Sequence, residues 1–213
     1  MTRDLRHALD GEAWVGRAVA AIAIASWVAL PVPDAVLGVS LHAAPATLQR
    51  NEADSQAVAQ FQKRVQEYAA LHKKVEDGIK ALPAKATPAQ IDAALRQLSA
   101  GISTARAGAK VGDVFEPAMQ VWARRTLERV FSAPEGKQIR ASILDENPIG
   151  ASVRVNGPYP DAIPLSTMPP TVLAALPKLP DELEFRFVGD RLILFDHHAH
   201  LIVDYVDRAL PKM

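Results

Sequence analysis

The stretch Leu183–Val206 reads LEFRFVGDRLILFDHHAHLIVDYV, and its reading decides the fold class. LEFRFV alternates apolar Leu183, Phe185 and Phe187 with charged Glu184 and Arg186, the period of a strand with one face on a core. Gly189-Asp190 separates it from RLILFD by two residues with glycine first, as in a type II′ hairpin. LIVDYV follows after HHAH. Three short runs with brief connections predict an antiparallel meander that packs one face on the elements before it.

HHAH holds three of the chain's six histidines and lies directly after Asp196. Two readings compete. If the strand ran on through it, Asp196, His198 and His200 would share a face, and two imidazoles with a carboxylate are a minimal donor set for a divalent transition metal. If the chain turns there, that geometry is lost and the histidines are solvated. The hairpin pattern favours the turn, so the metal set of Asp196, His198 and His200 is the alternative. Asp204 interrupts the last strand. A carboxylate there either faces solvent on the alternate face or accepts hydrogen bonds from a neighbouring turn. On an unbroken strand Leu201, Val203 and Tyr205 form one face and Ile202, Asp204 and Val206 the other, and the half-exposed reading is preferred.

Upstream, the second candidate site is VNGPYPD, Val155–Asp161. Asn156, Tyr159 and Asp161, with Asp204, make a candidate pocket held rigid by Pro158 and Pro160. Asn and Asp next to Gly and Pro are also what turns require, and the turn reading is preferred. The run PYPDAIPLSTMPP is excluded from helix and inner strand by its prolines, while ASVRVNG before it alternates like a strand.

The middle of the chain is helical. Val58, Phe61, Val65, Tyr68, His72, Val75, Ile79 and Leu82 follow one another in steps of three and four, a seam down one face of a long helix. LPAKATPAQ breaks it. Thr87, Pro88 and Gln90 then fit a capping box with proline at the first helical position, and Ile91, Leu95, Leu98, Ile102 and Ala105 repeat the spacing. A short break between two seamed helices predicts an antiparallel hairpin over 47–110. His72 lies in the seam. It reads either as a buried ligand or pH switch, or as a polar seam residue. One histidine alone cannot hold a metal, which favours the second. After ARAGAKVGDVFEP a third helix is expected over Pro117–Phe131, with Met119, Trp122, Leu127, Val130 and Phe131 inward. Its RRTLER cluster reads as a surface, since a glutamate sits inside it. A further short helix is expected over Glu135–Leu144.

The N-terminal region has a different character. Ala18–Leu30 reads AVAAIAIASWVAL, without a charge, after Arg3, Arg6 and Arg17 and before a stretch ending in Ala44 and Ala46. Basic start, apolar middle and small-residue exit are the layout of a secretory signal. Residues 1–46 are therefore expected to be a signal peptide cut after Ala46, or a retained inner-membrane anchor. The folded part is expected to be 47–213, one domain with its helix, proline-rich loop and meander in 111–213, placed in the periplasm or secreted.

Composition excludes several functions. Lys+Arg and Asp+Glu are both 24, a formal net charge of zero, which lacks the basic excess that nucleic-acid binding needs. No cysteine is present, so disulfides, thiol nucleophiles, iron–sulfur clusters and a lipoprotein anchor are out. There is neither a GxGxxG nor a GxxxxGK[ST] sequence, and no cofactor is expected. No serine sits in a GxSxG elbow, and Ser152 and Ser166 have no histidine near them in sequence.

GDVFEP at Gly112–Pro117, NGPYPDAIPLSTMPP and LPDELEFRFVGDRLILFDHHAHLIVDYVDRALP together resemble uncharacterised exported bacterial proteins that share a helical segment, a proline-rich NGPYPD-type loop and a C-terminal LIVD hairpin. The resemblance spans about the second half of the chain and carries no activity. It implies that the acids of LFD and LIVD, Asp196 and Asp204, recur, whereas the positions of His197, His198 and His200 need not be histidine. That weakens the metal reading.

The sequence thus gives an α+β protein: an antiparallel helical hairpin plus a third helix, then a small antiparallel β-meander. The expected role is non-catalytic binding of a protein partner, or of a second copy, through the hairpin, with membrane contact only through the N-terminal segment. The alternative is a metal-dependent periplasmic hydrolase using Asp196, His198 and His200. Mass spectrometry of exported chain is expected to find Thr47 at the mature N-terminus.

Overall fold

A computed structural model of the chain describes residues 46–147 and 150–212; the expected signal or anchor lies outside the described residues apart from Ala46, its last. The elements are α1 (Ala46–Asp77), α2 (Pro88–Ala105), α3 (Pro117–Phe131), α4 (Gly136–Glu146), α5 (Pro170–Ala175), β1 (Leu183–Val188), β2 (Arg191–Asp196) and β3 (Leu201–Val206). The class is α+β, with helices first and a three-stranded antiparallel sheet in the order β1-β2-β3 last. Among the described residues no helix is long and apolar enough to cross a membrane.

α1 forms from the seam as expected but ends at Asp77, so Ile79 and Leu82 lie in the connector. Phe61, Val65, Tyr68 and His72 are buried on its inner face. α2 starts on Thr87, whose side chain accepts from Gln90 N while the Gln90 side chain accepts from Thr87 N. The capping box satisfies donors that the first helical turn leaves open. Only the middle of the second seam is covered, and Ala105 at its end is exposed. Leu98 and Ile102 are buried, while Ile91 and Leu95 stand exposed. α1 and α2 approach closely at Gly101, where a Cβ would come within 2.5 Å of Val75 Cγ1.

α3 packs between α1 and the sheet. Its inward residues include Met119, Leu127 and Phe131 as expected, together with Ala123 and Thr126, while Trp122 and Val130 are half-buried. RRTLER does not present a free basic surface. Arg125 pairs with Asp54 on α1, and Arg124 Nε donates to Asp207 O beyond β3. Both arginines tie α3 to its neighbours.

The sheet is covered on both faces, which the sequence reading did not anticipate. Leu183, Phe185, Phe187, Leu192, Leu194, Leu201, Val203 and Val206 join the helix-side core. There Phe61, Phe115 and Phe185 form a cluster with centroids 5.1–6.3 Å apart. Val188, Ile193, Phe195 and Ile202 face the other way, against Tyr159 and Ile163 of the proline-rich loop. ASVRVNG is not a strand. The chain at 156–159 runs along the free edge of β3 with three backbone bonds: Asn156 N to Ile202 O, Ile202 N to Gly157 O and Tyr159 N to His200 O. Prolines at 158 and 160 stop a longer ladder, yet the edge is closed against further pairing.

Register breaks once. Leu194 pairs Asp204 and Phe195 pairs Ile202, leaving Val203 as an extra residue. This bulge reverses the expected alternation: Asp204 turns onto the helix face beside Val203, and Tyr205 goes to the loop face. The HHAH segment is a turn, with His200 at φ 56, and Gly189 opens the other hairpin at φ 58.

Gly101→Ala is expected to destabilise the chain by about 1–3 kcal/mol through overpacking. Adding Val75→Ala should recover much of that loss, as read from urea midpoints.

Candidate functional site

The bulge and the turn put two carboxylates, Asp196 and Asp204, on the helix face of the sheet. Both are fully buried, and burying a charge is costly unless donors surround it. The chain solves this differently at the two positions.

Asp204 is met by backbone. Gly112 N donates at 3.0 Å to Oδ1, while Val114 N and Phe115 N each donate at 2.8 Å to Oδ2. Tyr205 N adds a bond to Oδ1 at 2.8 Å. Gly112 sits at φ 92, a conformation that glycine adopts freely, and this lets successive N–H groups converge on one carboxylate. The GDVFEP segment is thus the cradle for the LIVD acid, 92 positions apart at Gly112. Burial pushes the Asp204 carboxyl above its ordinary range, and the four N–H donors offset part of that rise. Next to it Arg106 Nη1 donates to Asn156 Oδ1 at 2.9 Å and Nη2 to Val203 O at 3.0 Å. Asn156 Nδ2 returns a bond to Arg106 O.

Asp196 is met by side chains. Tyr68 and His72 lie one helical turn apart on α1. Tyr68 OH and His72 Nδ1 both approach Asp196 Oδ2 at 2.6 Å, and Ala199 N donates to Oδ1 at 2.7 Å. An ionised carboxylate only accepts, so Nδ1 carries the proton and donates it. Burial raises the Asp196 carboxyl, but the bonds from His72, Tyr68 and Ala199 outweigh it and leave it below the usual carboxylate value. The bond to Asp196 raises His72 above its ordinary value against the opposite effect of burial. Burial, with the Asp196 charge, holds the Tyr68 phenol far above its usual range. The Arg106 guanidinium lies 5.1 Å from the Tyr68 ring centroid. His72 Nε2 is buried and has no hydrogen-bond partner among the described residues. It is 3.9 Å from Glu76 Oε2, and the His72 residue lines a hollow of about 380 Å³ together with Lys73, Glu76, Asp181, Glu182 and His198.

The residues singled out in the sequence are placed as follows. Asp196 spends both oxygens on Tyr68, His72 and Ala199. His198 is exposed beside His72, with ring centroids 5.7 Å apart. His200 is exposed and stacks edge-on against Phe195, 5.4 Å away, on the loop face. Asp196, His198 and His200 are not brought together, and among the described residues no group of three His, Asp or Glu is arranged around a metal. In the candidate pocket, Asn156 is tied to Arg106, Tyr159 is buried with its hydroxyl on Pro164 O, and Asp161 is exposed. The sheet separates Tyr159 from Asp204.

Sequence reading missed the Tyr68–His72–Asp196 cluster. A signal was present: two hydrogen-bonding residues four apart on an apolar seam demand a buried partner. It does not say which carboxylate answers. No family model matches the chain, and neither does any curated protein or solved structure.

Asp204→Ala is expected to leave its buried N–H donors without an acceptor and to cost about 3 kcal/mol or more, since each orphaned group costs about 1–3 kcal/mol. Tyr68→Phe should cost about 1.5–3 kcal/mol, the worth of a bond to a charged group. Chemical denaturation monitored by tryptophan fluorescence reads both.

Proposed function

We propose that this chain is an exported cell-envelope protein with a non-catalytic role, binding a second copy of itself through the open end of its helical hairpin. The observation that carries the reading is the exposure of Leu82, Ile91 and Leu95, at 46%, 43% and 39%, at one end of the molecule. Leu82, Ile79, Ala81 and Ala94 line two adjoining hollows of about 320 and 330 Å³, and Leu95 lines the first of them. Clustered exposed aliphatics beside polar residues are the pattern of a protein contact.

The surrounding charges favour a second copy as the occupant. Glu76 and Asp92 lie at this end with Lys80, Lys85 and Arg96, all exposed. An isologous contact lets each sign meet the other across the two-fold axis, and a formal net charge of zero sets no long-range repulsion between copies. The inward seam is not this contact surface. Val65 is 1% exposed, so a charge placed there would test folding instead of association. Both buried carboxylates are engaged by donors of the fold, which supports a binding role over hydrolysis at Asp196. Export rests on the layout of residues 1–46 and on the resemblance to exported proteins.

Light scattering behind size exclusion is expected to give a dimer. Leu82→Glu with Leu95→Glu should give a monomer with an unchanged circular dichroism spectrum. A wild-type monomer across the micromolar range overturns the reading.

A further inference from the structure

His72 and its bond to Asp196 take no part in self-association through the hairpin, although Glu76 and His198 beside them also line the hollow at that contact. His72 is 3% exposed, its Nδ1–H is fixed by Asp196, and its Nε2 is buried without a partner beside a hollow rimmed by carboxylates, so Glu76 and His198 must swing aside to admit an ion. A carboxylate holding one ring nitrogen so that the other presents its lone pair is the outer arrangement of metal-binding histidines. It fixes tautomer and ring orientation before any ion arrives.

We propose that this hollow binds a divalent transition-metal ion, with His72 Nε2 as the fixed ligand and Glu76 and His198 as the ligands that close on it. Glu76 is four residues after His72 on α1, so the two side chains share a helix face, and Nε2 to Oε2 is 3.9 Å. Two donors on one tetrahedral ion at metal–ligand distances near 2.1 Å stand about 3.4 Å apart. The gap is half an ångström, within reach of an exposed glutamate. The His72 and His198 rings have centroids 5.7 Å apart. Two imidazoles on one tetrahedral ion have centroids about 5–5.5 Å apart. The three donors do not meet at one point here. Glu76 and His198 are both exposed, and side-chain rotation is the movement required of them. Glu182 and Asp181 on the rim add negative charge, while Lys73 is tied to Asp77 at 3.1 Å.

Imidazole and carboxylate without thiolate suit zinc, cobalt or nickel over a soft ion. The site differs from the set of Asp196, His198 and His200. Asp196 here orients a ligand and is not one, and His200 packs on the opposite side of the sheet.

The test uses untagged full chain, titrated with zinc by calorimetry and with cobalt by visible absorption. Wild type is expected to bind one ion per chain, and cobalt to give the strong absorption of a tetrahedral site. Glu76→Gln and His198→Ala are surface changes that leave the fold intact. Each should weaken zinc binding about tenfold or more, at least the loss that follows removal of an outer partner, and should abolish the tetrahedral cobalt spectrum. His200→Ala should bind as wild type. No binding by wild type overturns the proposal, as does wild-type affinity in Glu76→Gln and His198→Ala, or loss of binding in His200→Ala. Glu76 and His198 also line the hollow at the hairpin contact, so the titrations are repeated on the Leu82→Glu, Leu95→Glu chain, where the same binding and the same losses are expected. This separates failure of metal binding from failure of the self-association reading.

Discussion

Asp204 in the Gly112–Phe115 cradle is the contact on which the rest of the molecule depends. A carboxylate with no exposure must have every lone pair answered, and here the answer comes from the loop between α2 and α3. That loop sets where α3 starts. α3 in turn lies between α1 and the sheet and supplies Met119, Leu127 and Phe131 to the shared core. One side chain thereby joins the helical part to the last strand. The bond set also explains the bulge at Val203: without the extra residue, Asp204 would face the loop side, away from the amides that receive it.

Asp196 repeats the logic one strand over. It closes the HHAH turn through Ala199 N and anchors α1 through Tyr68 and His72. The two acids therefore hold α1 and the loop between α2 and α3 to the same face of one sheet. Their donors differ, and so does their electrostatic state. Asp196, with a histidine and a phenol, is held below the usual carboxylate value. Asp204, with amides only, is held above it. The histidine that completes the Asp196 set also lines the rim hollow, with its second nitrogen buried and unpartnered.

Much of the architecture was legible residue by residue. Steps of three and four from Val58 to Val75 gave α1, the Thr87-Pro88-Gln90 cap gave the start of α2, and the alternation of LEFRFV gave β1. Each is a local rule whose physical cause lies within a few residues. Reading failed where the cause was distant. ASVRVNG alternates but makes no strand, because its neighbour is a strand edge met by a proline-bearing chain. Asp204 was assigned the wrong face, because a bulge is set by what the side chain must reach. RRTLER reads as surface, yet Arg124 and Arg125 find their partners on Asp207 and Asp54.

The sequence by itself determined the main helices, the three meander strands, their order and the fold class. Periodicity, capping and turn chemistry act at short range along the chain, where composition is enough to know the neighbours. Tertiary structure alone decided which faces were filled, which acid met which donor, and that His72 and Asp196, 124 positions apart, share a proton-bearing contact. Such pairings depend on the burial of both groups at one place, and burial belongs to the packed molecule and not to any window of its sequence.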